Sequence, residues 1–236
     1  MKTFVIIQAR MGSSRYPGKI LELLREKTPL WYIRENLKYC NNIYKVIVAT
    51  TNKSIDDETE IEASKLGFEV FRGDENNVFS RYLDCCKKFN LNTDDLILRL
   101  TADDIFIDPT FLDAIISLYI STYPKVKFAT NANYKGFPYG FFFEIFDFDS
   151  LCQTSKLKLT SHDLEHVTPA IKRFNKNNML DISITNKYHG CNLSFDTKKD
   201  KIRIESILEE MYIQNLSVSP MKFNNIIDVC KKKLIF

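Results

Sequence analysis

Three cations, two serines and two glycines crowd the run Gln8-Ala9-Arg10-Met11-Gly12-Ser13-Ser14-Arg15-Tyr16-Pro17-Gly18-Lys19. Phe4-Val5-Ile6-Ile7 before it reads as a buried strand, so the run is the loop that leaves that strand. Glycine lets backbone N–H groups approach a ligand, and Arg and Lys neutralise its oxygens. That is chemistry for a polyphosphate. The loop is not a Walker A motif, because five residues separate Gly12 from Gly18 and Ile20 follows Lys19. The motif needs four residues there and a hydroxyl after the lysine.

Carboxylates come next. Asp103 and Asp104 leave the apolar run Leu96-Ile97-Leu98-Arg99-Leu100, and Asp196 ends Leu193-Ser194-Phe195. Paired carboxylates at strand ends hold magnesium beside phosphates, although Asp is also common in turns and at helix caps. Asp196 could equally be the N-cap of a helix starting near Lys198. His166, in Glu165-His166-Val167-Thr168-Pro169, could be structural or could meet a substrate. Glu165 and His166 are adjacent on a helix and are not expected to face one direction fully.

Alternating strands and helices must position these groups, which predicts an α/β fold with a mostly parallel sheet covered on both faces. Strands are expected at 45–50, 68–71, 96–100, 126–130, 141–146, 181–185 and 193–195. Helices are expected at 29 to about 39, opened by Thr28-Pro29, and at 56–66, stopped by Gly67. Further helices are expected at about 77–89, 109–121, after a Thr160-x-x-Asp163 capping box, at 198–212, and at 220–232 behind a Ser219 cap. Pro169 is expected to kink the capping-box helix. In open α/β sheets ligands bind at the carboxyl ends of the strands. Four polar clusters fall there: the Arg10-to-Lys19 loop, Thr50-Thr51-Asn52, Arg72-Gly73-Asp74 with Arg81, and Thr101-Ala102-Asp103-Asp104. Lys19 is expected to be exposed, so that Lys19→Ala weakens nucleotide binding with little loss of stability.

The 236 residues suit one large domain, and 44% hydrophobic and 27% charged residues suit a folded soluble protein. A net charge of +3 is too small for a nucleic-acid groove. The six cysteines form no C-x-x-C pair, which argues against zinc and against a disulfide framework. No apolar run is long enough to span a membrane and no signal peptide is seen, so cytoplasm is the expected compartment.

The loop resembles the opening of the cytidylyltransferases related to CMP-Kdo synthetase and acylneuraminate cytidylyltransferase. It is most similar to the SpsF-type branch, with its pattern Q-A-R-M-G-S-[ST]-R-x-P-G-K. Val48-Ala49-Thr50-Thr51, Phe71-Arg72-Gly73-Asp74 with Arg81-Tyr82, Arg99-Leu100-Thr101-Ala102-Asp103, Ile107-Asp108-Pro109, Glu165-His166-Val167-Thr168-Pro169 and Asp196-Thr197 match that branch in order.

The resemblance implies a Rossmann-like mixed sheet of the nucleotide-diphospho-sugar transferase kind, in a homodimer. It implies CMP transfer from CTP to an acidic or phosphorylated sugar-like acceptor, with release of pyrophosphate, for surface glycan synthesis. By motif, Ala9, Arg10, Gly12, Ser13, Arg15, Lys19 and Thr101 would hold the nucleotide. Thr50, Thr51, Arg72 and Arg81 would lie near the base. Arg10, Lys19 and Asp103 would carry catalysis, and Asp103 and Asp196 would hold Mg2+. Tyr139, Glu144, Glu165 and His166 would bind the acceptor, away from the triphosphate loop, with about 131–197 forming the acceptor-binding and dimerisation portion of a single domain, 1–236.

The chain departs from the branch at Ala102, Asp104-Ile105, Phe142 and Asn192. Phe142 stands where the branch has an acid. It is expected to pack in the core of its aromatic strand or, at a pocket wall, to make that pocket less polar. Another base such as GTP, a small phosphorylated non-sugar acceptor, or an inactive nucleotide-binding subunit are the alternative readings.

Overall fold

In the computed structural model, residues 1–132, 136–185, 188 and 190–235 are described. Seven strands form one sheet: β1 Thr3–Gln8, β2 Lys45–Thr51, β3 Glu69–Gly73, β4 Leu96–Thr101, β5 Phe128–Thr130, β6 Glu144–Asp147 and β7 Met179–Asp181. Their order is β3-β2-β1-β4-β6-β5-β7. The first four are parallel, and β6 pairs antiparallel with β4 and β5. The fold is thus the mixed, mostly parallel α/β sheet that the element order predicts.

Alternation in β1 explains the layering. Val5 and Ile7 face a core closed by α1 Pro29–Leu37, α2 Asp57–Lys65 and α4 Pro109–Thr122. Phe4 and Ile6 face a second core under α3 Val78–Lys88, α5 Phe148–Thr154 and α7 Thr168–Phe174. A third cluster lies between loops after β4 and the last helices, α8 Lys198–Ile213 and α9 Phe223–Lys232. Each fully buried Ile or Leu contributes about 1.5–3 kcal/mol, so β1, buried on both faces, is firmly anchored beneath its loop.

Several local expectations change. Phe141–143 lie outside the aromatic strand, because Asn131 binds both the Phe141 carbonyl (2.7 Å) and the Phe143 N–H (2.9 Å). Their backbone groups are thus satisfied by a side chain rather than a ladder. Leu193–195 form no strand either. The Leu193 N–H donates to the Tyr139 carbonyl (2.6 Å) and the Phe195 N–H to the Asp103 carbonyl (2.9 Å), tying two loops together. The strand expected at 181–185 is instead Met179–Asp181, because its partner β5 ends at Thr130. Helix α5 was not expected. It is capped by Asp147, whose side chain accepts the Ser150 N–H.

The capping box at Thr160 and Asp163 is present, opening α6 Ser161–His166. The chain breaks at Val167, with φ of 66°, and restarts as α7 with Pro169 in its first turn, giving two helices rather than one kinked helix. Ser219 does not cap the last helix, which begins at Phe223, where the N–H donates to Asp108 Oδ2 (2.9 Å).

Candidate active site

The carboxyl ends of β1 to β4 share one edge of the sheet, and the loop after β1 folds back over it. Met11 pins that loop. Its carbonyl accepts the Ser13 and Gly18 N–H groups (2.8 and 2.9 Å), and its own N–H donates to Asp56 Oδ1 (2.7 Å). Gly18 takes φ of 78°, a left-handed conformation that glycine adopts without steric cost. That turn sends Lys19 inward.

Lys19 is buried, not exposed: its side chain keeps 8% of its accessible area. Its Nζ donates to Asp103 Oδ2 (2.6 Å) and to Asp196 Oδ1 (2.7 Å). Arg15 reaches the same Asp196 oxygen at 2.8 Å from an exposed position. Burial works against the Lys19 charge, but Asp103 and Asp196 outweigh it and raise its pKa. Asp196 is not the helix cap. Thr197 caps α8, in a reciprocal box with Asp200, which leaves the Asp196 carboxylate for the site. Asp104 points elsewhere. Its Oδ2 accepts from Thr101 Oγ1 (3.0 Å), and burial, aided by Asp103, pushes its pKa up to about 7.

Ala9, Arg10, Ser13, Arg15, Lys19, Thr101, Asp103 and Asp196 line one cleft of about 290 Å³. Glu165 and His166 line it too, so both face the triphosphate loop rather than lying away from it. Gly12 sits in the loop, its Cα facing Glu75. Thr50, Thr51, Arg72 and Arg81 are not brought into this lining. Thr51 donates to Asp56 Oδ2. Arg72 straps β2 to α2, pairing with Asp57 (2.6 Å) and Glu60 (2.8 Å) and donating to the Thr51 and Lys53 carbonyls. Arg81 is fully buried, with Nη1 on the Asp74 carbonyl. Its Nε and Nη2, and Thr50 Oγ1, have no hydrogen-bond partner among the described residues.

The model of the cytidylyltransferase family matches residues 4–236. The chain belongs to the cytidylyltransferase family. It is 31% identical over 216 residues to the spore coat polysaccharide biosynthesis protein SpsF of Bacillus subtilis (strain 168), covering 87% of this chain and 85% of that protein. A solved cytidylyltransferase from Leptospira borgpetersenii serovar Hardjo-bovis (strain JB197) superposes with a TM-score of 0.88 at 32% identity, over 99% of this chain and 95% of that one. The structure of CMP:2-keto-3-deoxy-manno-octonic acid synthetase complexed with CTP shares the fold, with a TM-score of 0.69 at 16% identity, over 89% and 99%. This chain is therefore a nucleotidyltransferase with the nucleotide-diphospho-sugar transferase-like fold.

A second cleft of the cytidylyltransferase, about 590 Å³, adjoins the first through Thr101 and His166. Tyr139 and Glu144 border it, as does Phe142, which meets Tyr139 edge-on at 5.5 Å and so lies at a pocket wall. Gly140 keeps this wall tight: with φ of 84°, a Cβ there would lie 2.3 Å from the Ser194 nitrogen. Glu144 is buried and already engaged. It accepts from Arg99 Nη1 (2.9 Å) and Thr168 Oγ1 (2.9 Å) and pairs with Lys172 (2.7 Å). Burial opposes its charge, yet Arg99 and Lys172 hold its pKa below the ordinary value.

Sequence reasoning passed over Asp56, Arg99, His162 and Lys172. Arg99 carried a signal, since a cation inside an apolar strand needs a buried partner. His162, one helical turn before His166, carried a weaker one. Residues 133–135, 186, 187 and 189 of the expected acceptor portion lie outside the described residues.

Proposed function

We propose that this cytidylyltransferase transfers CMP from CTP to an acidic or phosphorylated sugar-like acceptor, releasing pyrophosphate. The observation that carries this reading is the convergence of Asp103 and Asp196 on one cationic atom beneath the Arg10-to-Lys19 loop. Two carboxylates from distant segments, within 2.7 Å of a single Nζ, form a hard-oxygen set that suits Mg2+, with water and phosphate oxygens completing the octahedron. Asp103 and Asp196 would hold that ion, which when bound supplies charge neutralisation at the α-phosphate.

The other roles belong to the chain itself. Arg10, Arg15, Lys19 and Ser13 bind the triphosphate and stabilise the charge that develops on the leaving pyrophosphate. An acceptor oxygen, held beside Thr101 and His166 where the clefts meet, attacks the α-phosphorus in line. Positioning and preorganised charge do most of the work in such transfers. The base is assigned to the Thr50 and Arg81 side, where three buried polar atoms have no protein partner among the described residues. Arg72 and Thr51 hold that wall. The homodimer, the cytoplasmic compartment and surface glycan synthesis belong to the same reading.

The test is pyrophosphate release with each of four NTPs against a panel of acidic sugars and small phosphorylated acceptors. The reading expects release with CTP, dependent on acceptor and on Mg2+. Release with a purine nucleotide instead would replace the base assignment, and none with any nucleotide would overturn the reaction.

A further inference from the structure

We propose that Lys172 and His162, with His166 beside them, form an oxyanion seat in the second cleft that grips the carboxylate or phosphate monoester of the acceptor. The proposal deepens the transfer reading and rests on it for the word acceptor, while the seat itself stands on the geometry of the cleft.

Charge comes first. In the first cleft Arg10, Arg15 and Lys19 stand with Asp103, Asp196 and Glu165, three cations against three carboxylates. In the second, Arg99 and Lys172 share the single carboxylate of Glu144. That cluster sets two cations against one carboxylate; Asp104 also lines this largely polar cleft, but burial pushes its pKa up to about 7 and so weakens its charge. Arg99 is turned inward, since Nη1 serves Glu144 and Nη2 serves Gln8 Oε1 (3.2 Å). Both cations line the cleft, and Lys172 is the more exposed, with 28% of its side chain accessible against 17% for Arg99.

Hydrogen-bond capacity agrees. Glu144 accepts from Arg99, Thr168 and Lys172, so its oxygens are taken. Asp104 also lines the cleft: its Oδ2 takes the Thr101 hydroxyl, and its buried Oδ1 has no hydrogen-bond partner among the described residues. Donors remain. An ammonium has three N–H groups, and Lys172 shows one carboxylate contact. His162 and His166 line the cleft with ring centroids 4.5 Å apart, one turn apart on α6. Lys172 offers donors only and each imidazole offers at least one, so these three side chains together suit a compact oxyanion, which only accepts. The Phe142 ring, in the same lining, offers no side-chain acceptor.

The test uses inorganic phosphate and acetate as probes, read by carbon–proton correlation spectra of histidine-labelled protein. CTP and Mg2+ are kept saturating so that phosphate does not report from the Lys19 loop. His162 is the reporter, because His166 lines both clefts. A saturable shift of His162 with phosphate, acetate or both is expected. Lys172→Met should weaken it at least tenfold, and Lys172→Arg should stay within a few-fold of wild type, which separates lost charge from a damaged fold. Phosphate alone acting points to a phosphorylated acceptor, and acetate alone to a carboxylate. No shift, or the same affinity in a folded Lys172→Met protein, overturns the seat. CTP binding is measured on the same samples by calorimetry. Failure there with an intact, Lys172-dependent shift removes the nucleotide reading and leaves the seat standing.

Discussion

Lys19 Nζ lies 2.6 Å from Asp103 Oδ2, although 84 residues separate them along the chain. The same nitrogen meets Asp196, a further segment away. One ammonium therefore stitches the triphosphate loop, the end of β4 and the segment before α8 into a single site. Lys19→Ala should cost about 3 kcal/mol of stability, because two carboxylates lose a buried counter-charge. It should also lower the transfer rate by roughly 10² to 10³. Denaturant melts and turnover on one preparation check both, and an unchanged melt would contradict the burial.

Divalent binding is expected to depend on nucleotide. With Lys19 seated between Asp103 and Asp196, Mn2+ alone should bind weakly, and CTP should tighten it by drawing the ammonium toward phosphate. Lys19→Met should raise Mn2+ affinity in the absence of nucleotide. Paramagnetic titration reads this directly, and equal Mn2+ affinity with and without CTP would count against it.

Arg72 and Arg81 are expected to behave differently, although the sequence presents them alike. Arg72 is spent on Asp57, Glu60 and two carbonyls, so Arg72→Ala should lower the melting temperature and leave the preference among nucleotides unchanged. Arg81 has two donors without a partner among the described residues, so Arg81→Met should weaken CTP by about 1–3 kcal/mol. Competition binding with CTP and UTP separates the two.

Acid should loosen the α6–α7 corner. The Arg173 guanidinium at 2.7 Å, with the Thr160 cap, holds the Asp163 carboxyl far below its ordinary value of 3.8. A depressed carboxylate contributes stability that is complete above its unfolded value and is lost as pH falls through the folded one. Stability should therefore decline below about pH 4, and Asp163→Asn should remove that part of the decline. Melts from pH 6 downward with the same slope in both proteins would show that Asp163 is not responsible.

Much of the first cleft was legible because its residues are close in sequence or end apolar strands. The Arg10-to-Lys19 loop follows β1, and Asp103 follows β4. What stayed hidden depends on contacts between distant segments. Asp196 is an exception: it looks like a helix cap until the Thr197-x-x-Asp200 pattern beside it, the same signature as Thr160-x-x-Asp163, is read as the cap that frees it. Leu193–195 alternate like a strand, yet their hydrogen bonds go to Tyr139 and Asp103. Glu144 and Arg99 pair across β4 and β6, strands joined by a long excursion. Arg72 matched a motif, but its partners on α2 decide its direction.

The central claim, that the loop and its two aspartates serve a cytidine triphosphate, is tested most directly by equilibrium binding. Calorimetric titration of the protein with CTP, UTP, ATP and GTP in Mg2+ should show CTP at least about tenfold tighter, or 1.4 kcal/mol. That advantage should persist in Arg72→Ala, and binding of CTP itself should collapse in Lys19→Ala. Equal affinity for all four nucleotides, or wild-type CTP affinity in Lys19→Ala, would contradict it.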